Sequence, residues 1–184
     1  MSFSNNYLPD IMNKYEGITA VAFDCFNTVF VLLAEHYKQV KDYAKHVNNP
    51  DFKPYIFPKE WYDLESHTDA IDGIRLMREK GYYCIAMSNG NPELILANSN
   101  KSGIVWDHVM DLASHGVYKP NKLAYPLIGL DTGFPPSATL MVTANPTFGD
   151  IEGARYCGMQ TCTIIRNGKH AYNILDLAND LCVL

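Results

Sequence analysis

The chain has 184 residues, 47% of them apolar and 19% charged, enough for one domain with a sizeable core. Twenty acidic side chains against 15 basic ones give a net charge of −5 and an isoelectric point near 5.6. That balance argues against a nucleic-acid partner, which needs a clustered basic face, and no apolar run approaches the length of a membrane span.

The first 17 residues are polar and interrupted by Pro9, so neither a signal peptide nor a membrane anchor is expected there. Five cysteines stand at positions 25, 84, 157, 162 and 182. Their odd number and their lack of metal-type spacing lead us to expect reduced, buried thiols in a cytoplasmic protein.

Residues 18–23 form a short run rich in β-branched and aromatic side chains, the pattern of a buried strand. Residues 31–61 fit no strand–helix alternation. They offer one helix candidate at 33–47, then an irregular stretch of Pro, Asn and aromatic residues at 48–58. We expect a small cap insertion at about 31–63 within a single domain whose core is 1–30 and 64–184.

A helix is predicted over 68–80, with Ile71, Ile74 and Met77 at three-residue spacing and Thr68 as its cap. Strands follow at 82–87, 139–143 and 160–165, and helices at 92–100, 150–157 and 172–180. Lys119 sits in the loop-like segment 116–120, before another helix. Strands alternating with helices imply an α/β fold with parallel pairing and right-handed crossovers. In such sheets ligands bind at the carboxyl ends of the strands.

Polar groups stand at those ends. Asp24 ends the first strand, Ser88-Asn89-Gly90 ends the second, and Asn145 and Asp150 follow the third. One Asp after a strand is ordinarily a turn former or a helix cap. Its coincidence with Ser-Asn, a Lys and a second Asp points instead to covalent catalysis. A carboxylate can attack an electrophilic carbon or phosphorus, and water then cleaves the ester or acyl phosphate. A neighbouring Lys keeps the nucleophile ionised, and a second carboxylate activates the water.

These segments resemble, in order and type, the four motifs of the haloacid dehalogenase superfamily. The resemblance runs from about residue 18 to 165 and is strongest to the L-2-haloacid dehalogenase branch. Asp24-Cys25-Phe26-Asn27-Thr28 matches Asp-x-Tyr-Gly-Thr, and Ser88-Asn89-Gly90 matches Ser-Asn-Gly. Lys119 and Tyr125 match a Lys with a Tyr six residues later. Gly153-Ala154-Arg155-Tyr156-Cys157-Gly158 matches Gly-Ala-Arg-Tyr-x-Gly.

The resemblance implies a Rossmann-like parallel sheet flanked by helices, with a small helical cap. It implies Asp24 as nucleophile oriented by Thr28, Lys119 as its ionic partner supported by Tyr125, and Asp150 positioning the water. Ser88 and Asn89 would contact the substrate's carboxylate and leaving halide. Asn145 and Thr147 stand where the family places Ser and Asn beside the substrate, and Phe26 is placed against it too. A homodimer and a small-molecule substrate are expected on the same ground.

Some positions depart from the superfamily's patterns. Its phosphatases carry an acid two residues after the nucleophile, where this chain has Phe26, and another acid where Asn145 stands. Its dehalogenases place an Arg in the cap, and residues 31–61 contain none. Three readings follow. The first is a dehalogenase without cofactor that forms an aspartyl ester on a small halogenated acid. The second is a magnesium-dependent phosphohydrolase, with Asp24, Asp150 and the carbonyl at Phe26 holding the ion. The third is a binding module on a degenerate scaffold.

Other residues carry plainer expectations. The six histidines (36, 46, 67, 108, 115 and 170) show no ligand spacing and read as surface groups or satisfied core groups. Cys25 reads as packing, and Arg155 as one partner of a structural salt bridge. Tyr55, Phe57 and Trp61 either line a pocket over Asp24 or form the cap's own core.

Overall fold

Residues 20–23 (Ala-Val-Ala-Phe) supply only small and apolar side chains, and they form the fully buried central strand, β1 (Ala20–Phe23). This computed structural model describes residues 15–49, 51–167 and 171–181. The expectations for the first residues, Pro50, His170 and Cys182 lie outside that range.

Beside β1 run β2 (Tyr83–Ala86) and β4 (Thr139–Thr143), with β3 (His108–Val109) and β5 (Gln160–Thr163) at the edges. The sheet order is β3-β2-β1-β4-β5 and every pairing is parallel. The chain leaves β1 toward one edge and later returns to build the other, so the topological switch point lies between β1 and β4. Asp24 stands there, its N–H bonded to the Val142 carbonyl at 2.9 Å.

Alternation along β1 divides the core. Val21 and Phe23 face α3 (Thr68–Glu79), α4 (Pro92–Ser102) and α7 (Ile174–Leu181). Ala20 and Ala22 face α5 (Leu127–Thr132) and α6 (Asp150–Tyr156). Helix α3 can approach the start of α7 because Gly73 has no side chain. A Cβ there would lie 2.7 Å from the Ile174 carbonyl oxygen.

Element ends reflect local chemistry. Helix α4 starts at Asn91, whose side chain accepts from Leu94 N at 2.8 Å, and it stops at the left-handed Gly103. Helix α7 begins at Ile174 rather than 172, because Asn173 and Asp176 exchange side-chain to backbone bonds of 3.0 Å. Thr68 is not the cap of α3. His67 holds that position, tied by its N–H to the Val29 carbonyl, and offers no side-chain cap bond. Strand β3 has no sequence expectation behind it, since two half-buried residues leave no periodicity to read.

The predicted cap helix is two pieces, α1 (Ala34–Gln39) and α2 (Tyr43–Val47), followed by a 3₁₀ turn at Lys59–Asp63. The break follows Val40, whose carbonyl accepts from Tyr43 N, while the Asp42 carbonyl opens the second helix by accepting from His46 N. Among the described residues no helix is long and apolar enough to cross a membrane.

Candidate active site

The site grows from the loop after β1. Asn27 takes the left-handed conformation (φ 60°), which Asn tolerates better than most residues, and this turns the chain back under Asp24. Thr28 then donates from Oγ1 to Asp24 Oδ2 at 2.9 Å. That donor direction is fixed, because the same Oγ1 accepts from Ala144 N at 2.8 Å. Asn145 donates from Nδ2 to Asp24 Oδ2 and to the Phe26 carbonyl, both at 2.7 Å, and its Oδ1 accepts from Asn27 at 3.1 Å. Both acceptors lack hydrogens, so the amide must present nitrogen to them.

Lys119 crosses from its loop and donates to Asp24 Oδ1 and Asp150 Oδ2, each at 2.9 Å. All three side chains are nearly enclosed. Burial works against the Lys119 ammonium, but Asp150 and Asp24 outweigh it and hold its pKa above the ordinary lysine value. The Asp150 carboxyl is pushed up by burial and by the Asp24 charge, with Lys119 and Tyr125 pulling it back. A carboxylate of raised proton affinity is a better base. The buried Tyr125 hydroxyl donates to Asp150 Oδ1 at 3.0 Å.

Above these groups lies a cavity of about 460 Å³. Asp24, Lys119, Asn89, Asn145, Thr147 and Asp150 supply its polar lining. Phe26, Phe57 and Trp61 supply aromatic wall, with Trp61 edge-on to Phe26 at 4.8 Å between ring centroids. Phe57 and Trp61 line the pocket and also belong to the buried core they share with the sheet and helices, whereas Tyr55 packs edge-on against Phe57 and is not among the lining residues.

The chain is 34% identical over 108 residues to the (S)-2-haloacid dehalogenase of Pseudomonas sp. (strain YL), covering 58% of this chain and 46% of that protein. It is 31% identical over 112 residues to haloacetate dehalogenase H-2 of Moraxella sp. (strain B), covering 60% and 49%. Among solved structures, that of the L-2-haloacid dehalogenase PA0810 superposes with a TM-score of 0.73 at 20% identity, covering 90% of this chain and 100% of that one. The chain is similar to these dehalogenases over somewhat more than half of its length, and it has the fold of the solved L-2-haloacid dehalogenase. Its similarity falls in the L-2-haloacid dehalogenase branch. No family model matches the chain, which spans about half the length of the curated relatives it matches.

The structure brings Asp24, Thr28, Lys119, Asp150 and Asn145 together. Asn89, Ser88 and Tyr125 are bonded within the protein. The Asn89 side chain is engaged with the Lys119 backbone, accepting from its N–H and donating to its carbonyl at 2.8 Å each, so it positions Lys119. Ser88 is buried and its Oγ accepts from Gly90 N at 3.1 Å, so it shapes the loop. Tyr125 is fully buried, away from the cavity, and supports Asp150 rather than the Lys119–Asp24 contact itself.

The residues do not fit a magnesium ion. Two of the oxygens it would need, Asp24 Oδ2 and the Phe26 carbonyl, face the donating nitrogen of Asn145, and the Lys119 ammonium sits between the two carboxylates. Arg155 makes a hydrogen bond to Thr161 Oγ1 at 3.0 Å in place of the expected salt bridge. His67 departs from the satisfied-histidine expectation, because its Nε2 is buried without a hydrogen-bond partner.

The cap contributes pocket residues that motif reading missed, chiefly Val40, Lys41 and Tyr43. Their spacing in a short irregular insertion gives no periodic signal. Thr143, 3.4 Å from Asp24 Oδ2, was signalled only by its place at the end of β4.

Proposed function

We propose that this chain carries the site of an aspartate-nucleophile hydrolase that breaks a carbon–halogen bond in a small halogenated acid. The observation that carries the reading is the Asn145 amide bridging Asp24 and the Phe26 carbonyl, which supplies donors where a phosphohydrolase would hold a cation. The names of the similar proteins, 2-haloacid and haloacetate dehalogenases, support it.

The bonding divides the two nucleophile oxygens. Oδ2 accepts from Thr28, Asn145 and, at 3.4 Å, Thr143, whereas among the described residues Oδ1 accepts from Lys119 alone. Oδ1 therefore has a lone pair to spend. It attacks the halogen-bearing carbon, a C–O bond forms, and the halide leaves with the C–X electron pair. Water then adds to the Asp24 carboxyl carbon while Asp150 accepts its proton. Negative charge gathers on Oδ2, where Thr28 and Asn145 already point their hydrogens, a preorganised oxyanion site. Collapse of that intermediate returns the carboxylate and frees the hydroxy acid, the alkoxide oxygen taking up the proton. The halide needs no proton donor, which suits Phe26 in the place of an acid.

The test is mass spectrometry of the protein after multiple turnovers in heavy-oxygen water, across halogenated acids and phosphate esters. Heavy oxygen in Asp24 with halide release is the expected result, and Asp24→Asn should abolish it while leaving the melting curve cooperative. Phosphate release that needs magnesium, and is lost in Asp24→Asn, would overturn the reading in favour of a phosphohydrolase.

A further inference from the structure

A displaced halide leaves carbon on the side away from the attacking oxygen. In the proposed reaction Asp24 attacks from the cavity floor, so the departing charge moves toward the cap. On the floor the third Lys119 hydrogen and the Thr147 hydroxyl are free, among the described residues, for the carboxylate that adjoins the reacting carbon of a 2-haloacid. The halide needs a donor on the facing wall.

Most polar side chains that the cap brings to the cavity are committed or wet. Asn48 donates to the Ala44 carbonyl at 2.7 Å, and the Trp61 indole N–H donates to Gln39 at 3.1 Å. Tyr37 and Lys41 are exposed, where water competes for an anion. Tyr43 is half-buried, with its ring edge-on to Tyr55 at 5.0 Å and tilted against Phe57 at 5.7 Å between centroids.

The direction of the Tyr43 hydroxyl follows from Asn89. The Lys119 backbone sets that amide, its N–H donating to Oδ1 and its carbonyl accepting from Nδ2, each at 2.8 Å. The second Nδ2 hydrogen reaches the Tyr43 oxygen. Tyr43 therefore accepts from Asn89 and keeps its own hydrogen for the cavity. Burial holds this phenol's pKa above its ordinary value, so the hydrogen stays on at neutral pH.

We infer that Tyr43 is the donor to the leaving halide, its O–H bonding the halogen as the carbon–halogen bond breaks. This rests on the proposed displacement by Asp24. The halide takes both electrons of the broken bond, and Tyr43 keeps its proton, because a halide is too weak a base to remove it. As the ester forms, negative charge passes from Asp24 to the halide. A donor on the cap side therefore stabilises the transition state more than the bound acid.

Tyr43→Phe keeps the ring and removes only the hydroxyl. Single-turnover halide release from 2-chloro-, 2-bromo- and 2-iodopropionate isolates the first step. The variant should lose about ten- to a hundredfold with chloride as leaving group, less with bromide, and least with iodide, the weakest hydrogen-bond acceptor. Bromide binding is read in Asp24→Asn, whose neutral amide stands in for the ester, by the saturable change in tryptophan fluorescence. Adding Tyr43→Phe should weaken it about tenfold. Equal rate losses for the three halides, or unchanged bromide binding, overturn the inference. So does an equal loss of affinity for propionate, which carries the carboxylate and no halogen.

The unaltered chain separates this inference from the reaction beneath it. If it releases no halide from any of the three acids, the reaction fails. Bromide binding that depends on Tyr43 then still upholds the halide site, and binding indifferent to Tyr43 removes it.

Discussion

Asn145 donates to the Asp24 carboxylate and to the Phe26 carbonyl at the same 2.7 Å, joining two oxygens that would otherwise face each other across the site. An amide can do this without a cation. Activity should therefore survive EDTA, and added magnesium should leave both rate and melting temperature unchanged. Asn145→Asp replaces the donor by a further carboxylate beside Asp24. It should reduce halide release by at least about a hundredfold and create magnesium-dependent thermal stabilisation. A wild-type rate lost on chelation and restored by magnesium contradicts this.

Lys119→Met keeps the volume of the side chain but leaves Asp24 and Asp150 buried without their shared cation. Removing one member of a buried ionic cluster costs about 3–5 kcal/mol. Urea unfolding at neutral pH should show a loss of that order, and turnover should fall by several orders of magnitude. The stability loss should shrink as pH falls, because the variant's folded state takes up a proton on Asp150, whose pKa burial and the Asp24 charge already raise. A stability deficit that grows on acidification would count against the shared-cation role.

Gly153 lies against the ring that holds Asp150. A Cβ there would come within 2.2 Å of Tyr125 Cε2, and the ring is fully buried with no room to retreat. Gly153→Ala should cost about 1–3 kcal/mol by overpacking. It should also lower kcat, by moving the Tyr125 hydroxyl off Asp150. Unchanged melting temperature and unchanged kcat together would show that the contact is slack.

His67 links acid stability to the back of the loop that follows Asp24. Burial, and then the charge of Arg166, lower its pKa from 6.5 to about 4. Between those values the unfolded chain binds more protons than the folded one, so stability falls as pH drops from 6.5 toward 4 and changes no further below it from this group. Arg166 donates from Nε to the Thr28 carbonyl at 3.0 Å and pairs with Asp69 at 2.7 Å, so loosening here reaches the nucleophile loop. His67→Gln should flatten the acid limb of a melting-temperature profile over that window. An identical acid limb in the variant would assign it to other groups.

Much of the candidate site was legible in the chain. Asp24, Lys119 and Asp150 stand at strand ends or in loops that alternating apolar runs make visible, and the parallel sheet brings such ends to one edge. The cap was less legible. A short insertion of aromatic and polar residues has no period to read, so neither the break after Val40 nor the place of Tyr43 and Lys41 in the cavity wall follows from their order.

The sequence by itself determined the α/β alternation and the identity of the charged groups, because periodicity and residue type are local properties. Only the tertiary structure decided which atoms those groups spend on one another. Asn89 was expected at the substrate but is committed to the Lys119 backbone, and Tyr125 was expected near the reacting pair but serves Asp150. A side chain has few donors and acceptors, and burial requires that each be matched. Which partner takes them depends on loops far apart in the chain meeting at the β1–β4 switch point, and no linear spacing encodes that meeting.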